Sequence, residues 1–147
     1  MDNKFSQAVV GGLVATVVMT IFVMLAAMFG MPELKPPMML SSLLDSSVLV
    51  GWIMHFVIGI IFALLYAYVF LALLTRIGND LARGIIYGII TFLISFLVMY
   101  LMGSMAENMP TIEGNPTFIM IARIVAHVVF GVVIALFVKP VPERTLE

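Results

Sequence analysis

Residues 51–63 read GWIMHFVIGIIFA and place a single histidine, His55, inside a long apolar run. The run continues without a charged residue from Val48 to Leu74. A helix needs about 20 apolar residues to cross the hydrocarbon core of a bilayer, whereas helices of soluble domains average about 11–12 residues. The stretch therefore predicts a transmembrane helix that carries an imidazole within the membrane.

Three further runs have the same character, and the four predicted spans are residues 7–30, 48–74, 81–105 and 117–138. The chain of 147 residues is 63% hydrophobic and only 10% charged. Typical soluble domains contain about 25% charged residues. We therefore expect an all-α membrane protein, a four-transmembrane-helix bundle that forms one domain over residues 1–147 and is surrounded by the lipid bilayer.

The order of residues around His55 returns 72 positions later, where residues 123–135 read RIVAHVVFGVVIA. Each copy has a histidine, a glycine four residues on and an alanine after four more: His55, Gly59 and Ala63, then His127, Gly131 and Ala135. Steps of four residues stay close to one helix face, so each copy forms a stripe. Small residues let helices approach closely in lipid, which by itself explains the glycines and alanines.

The repeated stripe predicts a duplication, in which residues 1–75 and 76–147 each form a helical hairpin. Two helices return the chain to its starting side, so both hairpins would have the same orientation. The fold would then be a bundle of two parallel helical-hairpin repeats. Chance similarity between helices rich in Leu, Ile and Val is the alternative.

Lysine and arginine residues are distributed unevenly between the two ends of the predicted bundle. Cytoplasmic loops of membrane proteins carry an excess of these residues. The N-terminal tail, the middle link and the C-terminal tail contain Lys4, Arg76, Arg83, Lys139 and Arg144, whereas the two long loops contain Lys35. Both termini are therefore expected in the cytoplasm, with the loops around residues 33–47 and 106–116 outside.

The two histidines have three possible roles, which the sequence leaves open. In the first, each imidazole hydrogen-bonds to a neighbouring helix and only fixes the packing. Candidate partners are Thr16, Thr20, Tyr87, Thr91, Ser95 and Tyr100. In this interpretation the chain is a structural or interaction protein, working as a homo-oligomer or as a subunit of a larger complex.

The second possible role is binding of a b-type haem by His55 and His127. Cofactors in helical bundles are held by side chains on facing helices, and histidine is a usual axial ligand. Gly59 and Gly131 would make room for the macrocycle, and Arg123, one turn from His127, would meet a propionate.

The third possible role is a metal site with His55 and His127 as ligands. Two histidines do not complete a zinc site, and no carboxylate lies at their depth. Copper fits better, because thioethers bind Cu(I) and eleven of the thirteen methionines fall in the outer half of the spans or in the outer loops. Methionine as an adaptable apolar filler is the alternative.

Arg123 is the charge that lies deepest in a predicted span, six residues into the fourth helix. Its side chain could extend to the lipid headgroups, pair with a loop carboxylate such as Glu33, Asp45, Glu107 or Glu113, or bind an anionic ligand.

Several classes of function are disfavoured by composition. The chain has no cysteine, which excludes disulfides, thiolate metal sites and iron–sulfur clusters. A net charge of −1 offers no basic field to nucleic acid. We find no catalytic triad, no His-Glu-x-x-His motif and no phosphate-binding loop, and expect no catalytic residues.

The motif GWIMHFxxG at residues 51–59, preceded by a helix with GLVAT at residues 12–16, resembles a group of small uncharacterised bacterial membrane proteins with four helices, a domain of unknown function. The resemblance implies four spans and a bacterial inner membrane. Because that group has no established activity, it assigns no role to any residue. The expected function is a small non-enzymatic membrane protein with a central site at His55 and His127.

Overall fold

The computed structural model describes residues 3–104 and 111–139, and this part of the chain contains helices and no strands. The helices are α1 (Lys4–Met28), α2 (Pro36–Leu43), α3 (Val48–Leu74), α4 (Asp80–Gly103) and α5 (Pro116–Phe137). All except α2 are long and apolar enough to cross a membrane, which confirms the prediction of an all-α, four-span protein. We call the end of the bundle with Lys4 and Lys139 the terminus side, and the opposite end the loop side.

Each spanning helix begins at a polar side chain that accepts a hydrogen bond from the first turn. These capping residues are Asn3, Ser47, Asn79 and Asn115. Ser6 and Thr117, whose side chains could also form caps, instead lie within α1 and α5. Asparagine is as good an N-cap as serine, and the backbone of Asn3 and Asn115 is itself extended. Helices α1 and α5 therefore begin at Lys4 and Pro116, before the predicted starts at residues 7 and 117.

The four spanning helices pack in a definite order. Helix α1 packs against both α3 and α5, α4 packs most extensively against α5, and the short helix α2 lies on α3. Helices α3 and α4 meet through aromatic side chains, where the rings of Tyr66 and Phe70 lie 4.8 and 5.2 Å from the ring of Tyr87.

Glycines allow the close approach of α4 to α5. A Cβ atom added at Gly88 would lie 2.5 Å from the Cα of Val128, and one added at Gly84 would lie 2.5 Å from the Cα of Val132. These distances are too short for any side chain, so only glycine permits this backbone contact. Close backbone approach supplies the van der Waals packing that holds helices together in lipid.

The first hairpin contains a similar contact between Gly12 of α1 and the segment Gly59–Ile60 of α3. A Cβ atom at Gly12 would lie 2.9 Å from the Cα of Ile60 and 3.0 Å from the carbonyl oxygen of Gly59. Gly84 follows Gly12 by 72 residues, the same offset that relates Gly59 to Gly131. The hairpin contacts are thus alike, although the close packing of α1 on α5 is not matched between α3 and α4.

The terminus-side part of α3 contains a π-helical segment at Tyr66–Phe70, where the backbone N–H of Leu71 donates to the carbonyl of Tyr66. Just before this segment, the hydroxyl of Tyr87 donates a hydrogen bond to the carbonyl oxygen of Phe62, at 2.5 Å. Insertion of a side chain beside a helical carbonyl is a known cause of helix irregularity. Tyr66 and Tyr87 are completely buried there.

The outward faces of the spanning helices carry large apolar side chains that are exposed in the isolated chain. Examples from the four spans are Ile21, Ile53, Leu97 and Val125. Such a surface is stable in contact with lipid tails, so the arrangement of side chains matches the bilayer environment inferred from the composition.

Candidate intramembrane histidine site

His55 is buried at the contact between α1 and α3, with 6% of its surface exposed. Its Nε2 atom lies 3.1 Å from the hydroxyl oxygen of Thr20. The single hydroxyl proton of Thr20 is donated to the carbonyl of Thr16, at 2.7 Å. The imidazole Nε2–H must therefore donate to Thr20, which leaves a lone pair on Nδ1 of His55.

The predicted stripe on α3 is present and longer than expected. Gly51, His55, Gly59 and Ala63 are the buried residues of its first 18 positions, and they are spaced by four. A Cβ atom at Gly51 would collide with the carbonyl of Pro37, because α2 lies directly on this end of α3. Helix α2 thus covers the loop-side end of the stripe, one turn from His55.

His127 lies in a different interface from His55. Its Nδ1 atom donates to the backbone carbonyl of Arg123 on its own helix, at 2.8 Å, so its Nε2 atom carries the lone pair. The imidazole is half-buried and meets the ring of Phe92 of α4 edge-on, with 5.8 Å between ring centroids. The first of the three possible roles expected a bond from each histidine to a neighbouring helix, whereas the hydrogen bond of His127 among the described residues is to its own helix.

Helix α1 packs against both of the helices that carry the histidines. Thr20 contacts His55, and nearby Val23 belongs to the same apolar cluster as Ala126, the residue before His127. The described residues include no ring contact between the two histidines.

Gly59 and Gly131 were expected to leave room for a macrocycle, but both are in contact with another helix. A Cβ atom at Gly59 would overlap the hydroxyl oxygen of Thr16. One at Gly131 would lie 2.5 Å from the backbone nitrogen and 2.7 Å from the Cα of Gly88. The side of each glycine where a side chain would stand is therefore filled by protein.

Arg123 is half-buried one turn from His127, and its carbonyl holds that ring. Within the described residues its guanidinium has no hydrogen-bonded or ion-paired partner. One expected partner, Glu33, pairs with Lys35 at 2.9 Å, and another, Glu107, lies outside the described residues. The guanidinium thus has donors that no described residue uses.

A metal site would need more ligands than the histidines provide. In residues 3–104 and 111–139, no group of three or more His, Asp or Glu side chains is placed to hold a metal ion. Methionines were the other expected copper ligands, and two of them, Met38 and Met39, line a loop-side cleft of about 390 Å³ together with Glu33 and Glu113. Met105 and Met109 lie outside the described residues.

A second polar cluster, on the terminus side, was not anticipated from the sequence. It contains Tyr66, Asp80, Arg83, Tyr87 and Lys139. Arg83 is 7% exposed although it was expected in the polar link, and its guanidinium pairs with Asp80. Asp80 also pairs with Lys139 at the end of α5. The available signal was the position of Arg83 four residues after the cap Asn79, which places it inside the helix.

The fold and these two polar clusters define a small α-helical integral membrane protein with four spans. The chain belongs to the family DUF6789, a family of unknown function, whose sequence model matches residues 2–145. This membership confirms the resemblance to an uncharacterised membrane protein family. No curated protein and no solved structure is significantly similar to the chain.

Proposed function

We propose that this chain is a non-enzymatic structural or interaction protein of the membrane, in which His55 fastens α1 to α3. The hydrogen bond from His55 Nε2 to Thr20 carries the proposal, because it connects two spans. Hydrogen bonds of this kind stabilise membrane proteins by about 0.6 kcal/mol on average and by up to about 1.7 kcal/mol.

A double-mutant cycle tests this role of His55. We expect His55→Ala and Thr20→Val to destabilise the folded state less in combination than the sum of their separate effects, with a coupling of about 0.6–1.7 kcal/mol. His127→Ala with Thr20→Val is the matched control, since His127 bonds to its own helix, and should be additive. Additive effects of His55→Ala and Thr20→Val would contradict the proposal.

Binding of an ion or cofactor by the histidine pair is the second candidate. It is favoured by the two lone pairs left on His55 Nδ1 and His127 Nε2, because a metal binds the unprotonated nitrogen of a neutral imidazole. Cu(I) is the better candidate than haem b, since haem would have to displace the helix contacts at Gly59 and Gly131. If haem bound instead, Arg123 would meet one of its propionates.

The purified protein distinguishes these two candidates. A Soret band, or copper in a fixed ratio to protein by elemental analysis, would support the second candidate if it disappeared in both His55→Ala and His127→Ala. Thr20→Val is the control, because it removes the bond to His55 and keeps both imidazoles. A colourless protein without bound metal would favour the structural role.

We also propose that the protein resides in a bacterial inner membrane with both termini in the cytoplasm. Lys4, Arg76, Arg83 and Lys139 at one end outnumber Lys35 at the other, which supports this orientation. Because the chain has no cysteine, single cysteines can report it. In intact cells, a membrane-impermeant maleimide should label Ser46→Cys and leave Thr75→Cys unlabelled; the opposite pattern would reverse the orientation.

The duplication into hairpins 1–75 and 76–147 is part of the same proposal. The offset of 72 residues relates the contacting pair Gly12 and Gly59 to the contacting pair Gly84 and Gly131, which supports it. A possible homo-oligomer would be tested by measuring the mass of the protein in detergent after correction for bound detergent.

A further inference from the structure

Outside the histidine site, the terminus-side cluster contains more hydrogen-bond donors than its acceptors can use. Arg83 has five N–H donors, and its guanidinium is paired with one carboxylate oxygen, Oδ1 of Asp80. Its Nε atom is buried and has no hydrogen-bond partner in the described part of the chain. Lys139 has three N–H donors and is paired with the other oxygen of Asp80.

Tyr66 adds another unused donor on the π-helical segment of α3. Its side chain is completely buried, and its hydroxyl has no hydrogen-bond partner among the described residues. A buried polar group without a partner destabilises the fold, so these groups indicate a missing acceptor. The three side chains of Asp80, Arg83 and Lys139 also leave one positive charge uncompensated.

We propose that this cluster is a binding site for a phosphate group. A phosphate offers several acceptor oxygens and negative charge, and the cluster is short of both. Guanidinium groups bind phosphate with well-defined geometry. Asp80 occupies part of the site as an internal carboxylate, with its side chain 28% exposed. A phosphate that displaces it meets Arg83 and Lys139 together.

The position of the site suggests where the phosphate comes from. Arg83 lies in the first turn of α4, and Lys139 follows α5 with 46% of its side chain exposed, so both lie at the end of the spans. Basic pockets between transmembrane helices bind the headgroups of anionic lipids. An anionic phospholipid is therefore one source, and free inorganic phosphate is the other.

The test measures thermal unfolding of the purified protein in a zwitterionic detergent, followed by the fluorescence of its single tryptophan, Trp52. We expect a short-chain phosphatidylglycerol to raise the Tm by several degrees, and the matched phosphatidylcholine to raise it much less. Inorganic phosphate at equal concentration forms the third arm. A shift with inorganic phosphate alone assigns the site to free phosphate, whereas a shift with phosphatidylglycerol alone assigns it to lipid.

Variants connect the shift to the cluster. Lys139→Gln should reduce the shift at least by half without threatening the fold, because its side chain is partly exposed. Arg83→Gln should abolish it, and Arg76→Gln, which removes an exposed charge on the same side, is the matched control that should preserve it. No shift in the wild type, or equal shifts in Lys139→Gln, Arg83→Gln and the control, would overturn the proposal.

Discussion

The hydroxyl of Tyr87 on α4 donates a hydrogen bond to the backbone carbonyl oxygen of Phe62 on α3, at 2.5 Å. This bond links the two helices of the bundle that otherwise meet through ring contacts, and it lies next to the π-helical segment Tyr66–Phe70. A side chain that bonds to the backbone of another span connects the hairpins in a way that hydropathy does not reveal.

Removing that hydroxyl should destabilise the protein without disturbing its packing. We expect Tyr87→Phe to lower the free energy of unfolding by about 0.5–1.5 kcal/mol, because the aromatic contacts remain and one hydrogen bond is lost. Reversible unfolding in mixed detergent measures the change. Tyr100→Phe is the control, since Tyr100 is 68% exposed, and a loss of equal size in both variants would contradict the role of Tyr87.

Gly131 should not tolerate even the smallest side chain. Gly131→Ala places a Cβ atom 2.5 Å from the backbone nitrogen of Gly88, and backbone atoms cannot rotate away. Overpacking of this kind costs about 1–3 kcal/mol, so the Tm should fall by several degrees. Gly78→Ala, with open space around the added methyl group, should have a much smaller effect. Similar effects of the two substitutions would show that the α4–α5 contact is looser than described.

Replacement of Gly59 should differ from replacement of Gly131, because a second substitution can partly restore the lost stability. The added Cβ of Gly59→Ala meets the hydroxyl oxygen of Thr16, which a second substitution removes. We expect Gly59→Ala to be destabilising alone and less so in combination with Thr16→Ala. A double mutant as unstable as the sum of the separate effects would contradict the contact.

Helix α2 should depend on Gly51 for its position on α3. Gly51→Ala directs a methyl group at the backbone carbonyl of Pro37, so α2 has to move away. We expect faster proteolysis or faster hydrogen exchange in residues 36–43 of this variant, because the helix of eight residues is too short to be stable alone. Unchanged protection of this segment would show that α2 is held by other contacts.

The candidate site was predicted only in part. The residues of the stripe were identified because side chains spaced by four residues lie on one helix face, whichever helix is packed against it. Thr20 was among the expected partners of His55. The local bond of His127 could not be predicted, because a ring in a helix can reach either its own carbonyl or a neighbour. The contact surfaces at Gly59 and Gly131 equally depend on which helix lies opposite.

By itself the sequence determined the four membrane spans to within a few residues. In lipid a backbone must satisfy its hydrogen bonds within the segment, so a long apolar run has one available structure, the helix. Only the tertiary structure decided that α1 packs against both α3 and α5, that α2 lies on Gly51, and that Arg83 is buried. These features depend on the fit between helix surfaces that are distant in sequence. An apolar helix face is almost equally stable against lipid tails and against another helix, so close packing decides which helices associate.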